Sequence, residues 1–216
     1  MELNVIIGML GKGFLITLRI FIFTLIISLP LGLVVAYGRM SKNLILRNLF
    51  KLYISVMRGT PLMLQLFMVY FGPFFIFKAN ISGNYRFIAV VIAFGLNYAA
   101  YFAEIYRGGF DSMPKGQYEA SKVLGYSKLQ TFWRIILPQV IKRIMPSITN
   151  EVITLVKDTS LAFVISVSEM FTAAKAVASS QASMTPYLLA GIIYYIFNYL
   201  VAFIMEQFES KMSYYD

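Results

Sequence analysis

Five blocks of nearly continuous apolar sequence, each close to the length of a membrane-crossing helix, constrain this chain more than any other feature. They run roughly over 14–37, 60–77, 87–105, 148–170 and 187–208. A helix needs about 20 apolar residues to cross about 30 Å of hydrocarbon, and only helices and closed barrels satisfy their backbone polar groups there. A barrel would show short alternating segments, and none is present. The chain therefore reads as all-α, a polytopic helical membrane protein with five transmembrane helices forming one domain over 1–216. Only 13% of the residues are charged, about half the share of a soluble domain. The first block runs on through Leu33, Val34, Val35 and Ala36 with no small-residue cleavage site. It is expected to span rather than to be a removed signal.

The net charge of +9 is informative through its placement. Arg39, Lys42, Arg47, Lys51 and Arg58 lie between the first two blocks. Arg107, Lys115, Lys122, Lys128, Arg134, Lys142 and Arg143 lie between the third and fourth. The opposite side holds Lys12, Lys78, Arg86 and Lys175. Basic loops stay in the cytoplasm, so both rich loops are expected there. An odd number of spans then puts the N-terminus outside and the C-terminus inside. The charge is read as membrane orientation, in contact with lipid, and not as nucleic-acid binding.

The chain has no Cys and no His. That excludes disulfides, thiol nucleophiles, histidine bases and the usual soft metal sites. There is also no phosphate-binding loop. The nearest string, Gly8-Met9-Leu10-Gly11-Lys12-Gly13, has the wrong spacing and no hydroxyl after the lysine. No catalytic residue, metal or cofactor is expected on this chain.

The segment of about 111–143 is long for a loop in so small a protein, and it is patterned. Pro114-Lys115-Gly116-Gln117 is turn chemistry, Tyr118–Leu124 reads as a short helix closed by Gly125, and Ser127 is an N-cap for a second helical run through Leu129, Phe132, Trp133 and Ile136. Pro138 is expected to restrict the chain before the next span. Physics alone leaves two readings open: an interfacial pair of basic helices, or a docking element for a cytoplasmic partner.

Polar groups inside the blocks are costly and usually face a pore or a partner. The fourth block holds Glu151, Asp158, Thr159, Ser160 and Glu169. Glu151 and Asp158, seven apart, share a helix face and suggest an acidic lining, or else a polar network between helices. Thr159 and Ser160 suit a break in the helix. Glu169 is a candidate for an outer gate. In the third block Asn97, Tyr101 and Glu104 share another face, whereas Tyr98 and Tyr106 read as packing or interfacial aromatics. Arg58 is either a positive-inside anchor or a gate and carboxylate-binding residue. Thr60 is expected to cap the second span, with Pro61 at its start. Pro30, Gly32, Gly38 and Gly95 are read as packing positions.

The loop carries a recognisable pattern. Glu119-Ala120-Ser121, three residues, Gly125, nine residues, then Ile135-x-Leu137-Pro138 resembles the EAA loop of ABC importer permeases, with Ser121 where that family usually has Ala. Arg58-Gly59-Thr60-Pro61-Leu62, Ala103-Glu104-Ile105-Tyr106-Arg107-Gly108-Gly109, Pro114-Lys115-Gly116-Gln117 and Lys157-Asp158-Thr159-Ser160-Leu161 are similar to the polar amino acid branch of those permeases. The resemblance implies the type I ABC importer transmembrane fold in a bacterial inner membrane. It implies coupling to an ATPase through Glu119, Ala120, Ser121, Gly125, Tyr126, Leu137 and Pro138. The implied partners are two ATP-binding cassette subunits carrying ATP and Mg, a second permease (the same chain or a close paralogue), and an extracytoplasmic solute-binding protein. Basic amino acids (arginine, lysine or histidine) are the implied solutes, with glutamine or cystine as alternatives. The rival reading is an ion-gradient-driven transporter or channel.

Overall fold

The computed structural model describes residues 3–80, 82–83 and 85–211. The described residues are mostly helical, with no strand among them. In chain order the helices are α1 (Leu3–Arg39), α2 (Leu44–Gly59), α3 (Leu62–Phe77), α4 (Tyr85–Asp111), α5 (Lys115–Val123), α6 (Lys128–Thr131), α7 (Leu137–Asp158), α8 (Met170–Gln181) and α9 (Thr185–Ser210). A π-helical turn, Phe132–Ile136, joins α6 to α7, and a 3-10 helix, Thr159–Ile165, follows α7.

Three helices, α1, α4 and α9, are long and apolar enough to cross a membrane unaided. The count reaches five only if each of two bent pairs is one span: α2 with α3, bent by 109°, and the run from Lys128 to Ile165 with α8, bent by 57°. Two expectations change accordingly. The second apolar block is not an isolated span. It follows an amphipathic helix, α2, hidden among the loop's basic residues. The fourth block is not one helix from 148 to 170, because α7 begins at Leu137 and ends at Asp158.

α4 lies at the centre, with Val90, Phe94, Tyr98, Ala99, Ala103 and Phe102 essentially inaccessible. α1 packs along it at Gly32, which faces Phe102 and Ala99, and against the start of α8 at Gly13 and Thr17, small residues that let helix backbones approach in a membrane. At Gly32 a Cβ would stand 2.9 Å from Phe102 Cβ, so this glycine is a packing position. Phe197 of α9 meets Phe14 and Phe21 of α1 edge-on.

The loop between α4 and α7 follows its sequence signals closely. α5 ends at Val123 with Leu124 as its C-cap, and Gly125 adopts φ +77°, the left-handed conformation that closes helices and that residues with a Cβ resist. Ser127 caps α6 in a reciprocal capping box with Gln130. The departure is Pro138. It does not separate the loop from the following span, because it stands in the first turn of α7, where a missing N–H is tolerated. The widened π turn just before it keeps the helical path continuous from Lys128 to Asp158.

Candidate functional site

Two breaks meet on one turn of α4. At the first, Gly59 ends α2 and Pro61 opens α3. Thr60 is therefore the C-cap of α2, not the N-cap of the following helix, because Pro61 forces an extended residue before it. Its hydroxyl donates to the Val56 carbonyl at 2.8 Å and accepts from Gln65 Nε2 at 2.9 Å. Gln65 Nε2 also reaches the Met57 and Thr60 carbonyls, at 2.9 and 3.1 Å. Asn97, buried on α4, donates through Nδ2 to Met57 O at 3.0 Å and to Gln65 Oε1 at 2.9 Å. Carbonyls freed where the helix stops are thus satisfied inside the protein, as a broken helix at membrane depth demands.

At the second break Asp158 closes α7, and its Oδ2 accepts from the Tyr98 hydroxyl at 2.7 Å. Thr159 and Ser160 turn their hydroxyls back onto the Val156 and Lys157 carbonyls. The chain then passes through the 3-10 helix and Ser166, at φ +58°, to Glu169. Glu169 is fully buried and caps α8. It accepts from the Phe171 and Thr172 amides, from the Thr172 hydroxyl and, at 3.0 Å, from Tyr194 of α9. Such a carboxylate at a helix N-terminus is held by the amides and by the helix dipole. Glu169 is thus placed as the cap of α8, tied to α9 through Tyr194.

Between the end of α2, the C-terminal half of α4 and the middle of α7 lies a cavity of about 420 Å³ lined by Arg58, Tyr101, Glu104, Arg143, Ser147 and Glu151 among others. Glu104 is its electrostatic centre. Arg107, one turn on, meets both carboxylate oxygens, the closest approach being 2.7 Å. Arg39 of α1 and Arg58 of α2 each stand 3.9 Å away. The Arg58 guanidinium also lies over the Tyr101 ring, 5.2 Å from its centre. Glu151 faces the same cavity and has no ion-pair partner among the described residues.

The cavity therefore brings together Arg58, Tyr101, Glu104 and Glu151. It does not include Asn97, Asp158, Thr159 or Ser160, which serve the breaks. The acidic lining expected from Glu151 with Asp158 is divided: only Glu151 lines the cavity, because Tyr98 engages Asp158. Sequence reasoning missed Gln65, Tyr98, Arg39 and Arg107 as members of these networks. The i,i+3 spacing of Glu104 and Arg107 was the available signal for one of them.

In the loop, Ser121 is buried and donates to Gln117 O, at 2.6 Å, while Glu119 and Ala120 are exposed. Gly125 and Tyr126 form the tip, flanked by exposed apolar side chains: Val123 at 87%, Leu124 at 72% and Leu129 at 69% of full accessibility. Leu137 and Pro138 are half-buried at the start of α7.

A sequence profile described as the inner membrane component of binding-protein-dependent transport systems matches residues 28–214. The L-cystine transport system permease protein TcyB of Bacillus subtilis is 37% identical over 95% of this chain and 87% of its own length. The arginine transport system permease protein ArtQ of the same organism is 37% identical over 94% and 91%. A crystal structure described as an amino acid ABC transporter with histidines superposes with TM-score 0.87 at 29% identity, covering 98% of this chain and 99% of that one. An all-helical bundle with two broken elements, a patterned loop between α4 and α7, and a profile match over most of its length lead to one assignment: this chain belongs to the family of inner membrane components of binding-protein-dependent transport systems.

Proposed function

We propose that this chain is the permease subunit of an ATP-driven importer of polar, preferentially basic, amino acids. The observation that carries the proposal is the loop tip. Val123, Leu124 and Leu129 stand exposed around a left-handed glycine, on a rigid helix–turn–helix of basic character. An apolar knob of this kind fits a cleft on a partner. The pattern Glu119-Ala120-Ser121…Gly125 is that of a coupling element for an ATP-binding cassette subunit. ATP and Mg bind on two such subunits, since this chain has no phosphate loop. A second permease, identical or closely related, completes the pathway, and an extracytoplasmic solute-binding protein delivers the solute. The α4–α7 loop and the C-terminus lie in the cytoplasm and the N-terminus outside, following the basic loops.

The solute reading rests on the 420 Å³ cavity. Arg58 offers a guanidinium to an α-carboxylate, and Glu151 offers an unpaired carboxylate to a cationic group. ArtQ carries an arginine name and TcyB a cystine name, so the branch admits more than one amino acid. The test is purification of the complex from native membranes, with identification of co-purifying chains, followed by uptake in vesicles. The expected result is a stoichiometric ATPase partner and ATP-dependent uptake of arginine or lysine in preference to glutamine and cystine. Uptake that collapses with the ion gradient, without an ATPase partner, would overturn the importer reading.

A further inference from the structure

At the end of the bundle opposite the α4–α7 loop, a second cavity of about 670 Å³ opens between α1, the start of α4 and the turn following the 3-10 helix. It is lined by Arg19, Arg86, Ser166, Ser168, Phe23 and Phe87 among others. Both arginines are exposed, and neither pairs with a carboxylate among the described residues. Among the described residues Arg86 donates one bond, from Nε to the Tyr70 hydroxyl at 3.2 Å, and its terminal nitrogens have no partner there. The hydroxyls of Ser166 and Ser168 are exposed and have no partner among the described residues. Glu169, next in sequence, is fully consumed as the α8 cap.

We propose that this cavity holds the phosphate of an anionic phospholipid in the leaflet opposite the coupling loop. Three observations select a lipid. First, two unpaired guanidiniums and two hydroxyls converge on one volume, the donor set that suits a phosphate oxyanion. Second, the other wall is apolar, with Phe23 and Phe87 packed edge to face at 6.1 Å, as needed beside the first methylenes of an acyl chain. Third is depth. Arg19 and Arg39 lie on one continuous helix, 20 residues apart, which spans about 30 Å, the thickness of the hydrocarbon layer. Arg39 stands at one boundary, 3.9 Å from Glu104; Arg19 stands at the other boundary, where headgroups begin. The apolar residues Leu15, Ile22 and Ile26 that flank it on α1 are exposed, as expected of a helix face against lipid.

The experiment is native mass spectrometry of the complete purified complex in micelles doped with equal phosphatidylglycerol and phosphatidylcholine. The intact complex is expected to retain phosphatidylglycerol preferentially. The double variant Arg19→Gln, Arg86→Gln should lose about tenfold or more of that preference, since each basic residue near a charged surface contributes about a fivefold factor. The charge-preserving pair Arg19→Lys, Arg86→Lys keeps most of it and controls for folding. Equal retention by the native and glutamine forms overturns the proposal. So does displacement of phosphatidylglycerol by millimolar inorganic phosphate, which would mark a free-anion site. Unchanged lipid retention with weakened stimulation by the solute-binding protein would assign the arginines to a protein carboxylate and overturn it equally.

Discussion

The Tyr98 hydroxyl donates to Asp158 Oδ2 at 2.7 Å, across 60 residues of sequence. Its chain neighbour Asn97 binds the Met57 carbonyl and Gln65. Two consecutive residues of α4, about 100° apart around the helix, therefore hold both broken elements of the bundle. Both breaks are thus anchored to the same turn of α4.

Tyr98→Phe removes a hydrogen bond to a charged acceptor and leaves a half-buried carboxylate without its donor. The expected loss is about 1.5–3 kcal/mol, read as a lowered thermal midpoint of the purified complex. Asp158→Asn keeps an acceptor and should lose less. If the double variant is no worse than Tyr98→Phe alone, the bond is the shared cause; strict additivity of the two losses would show that it is not.

Asn97→Leu breaks two bonds at the α2–α3 corner and strands Gln65 Oε1. Hydrogen bonds inside membranes average about 0.6 kcal/mol, so stability falls modestly, by about 1 kcal/mol. Transport should fall more than stability, because the corner loses its fixed angle. Adding Gln65→Leu should cost further stability, because Gln65 Nε2 also serves the Met57 and Thr60 carbonyls, but the double loss should be smaller than the sum of the singles, since the bond between the two side chains is lost only once. A double variant worse than the sum of the singles would contradict this network.

Gly125 gives a graded series. At φ +77° a Cβ costs about 1–2 kcal/mol, while nothing within 4 Å would obstruct one. Asn tolerates the conformation better than Ala or Val. The expected order for retained ATPase docking is Gly, Asn, Ala, Val, measured by co-purification at equal membrane insertion. Gly125→Asp should insert and fold yet lose uptake, since it also places a charge in the apolar tip. Transport unchanged in Gly125→Asp would sink the assignment of the coupling element.

The loop was legible in sequence because its determinants are local. Pro114, Gly125 and the Ser127 cap each act within four residues, and the structure reproduces them. The breaks were less legible. α2 was hidden because Arg47, Lys51 and Arg58 on an amphipathic helix depress its apolar average, so the segment reads as a basic loop. The end of α7 was hidden because the 3-10 segment Thr159–Ile165 continues in apolar residues, and composition does not register a change of helical pitch. Tyr98 and Gln65 carry no pattern at all. Their partners are 60 and 32 residues away, and only packing of α4 against both elements brings them together.

Glu104 offers the last prediction, and the geometry ranks its partners. Arg107 meets the carboxylate through two nitrogens, with contacts between 2.7 and 3.2 Å, and is itself aligned by Asp111. Arg39 and Arg58 stand at 3.9 Å, and the Arg58 side chain is 44% exposed. Direct bidentate contact is the strong form, whereas longer, wetter pairs contribute about 0–1 kcal/mol. Arg107→Gln should therefore lower stability more than Arg39→Gln or Arg58→Gln. Glu104→Gln should exceed all three, because it leaves three guanidiniums from α1, α2 and α4 facing one another without their carboxylate. Raising salt should narrow the gap between native and Glu104→Gln complexes by screening that repulsion. The measurement is thermal unfolding of the purified complex at low and high ionic strength. A gap insensitive to salt would mean that Glu104 acts through packing and hydrogen bonds alone. Because Arg58 lines the cavity whereas Arg39 and Arg107 do not, the Arg58 variant alone of the three arginine variants should impair uptake beyond its effect on stability. Separating those two readouts distinguishes a residue of the pathway from a member of the frame around it.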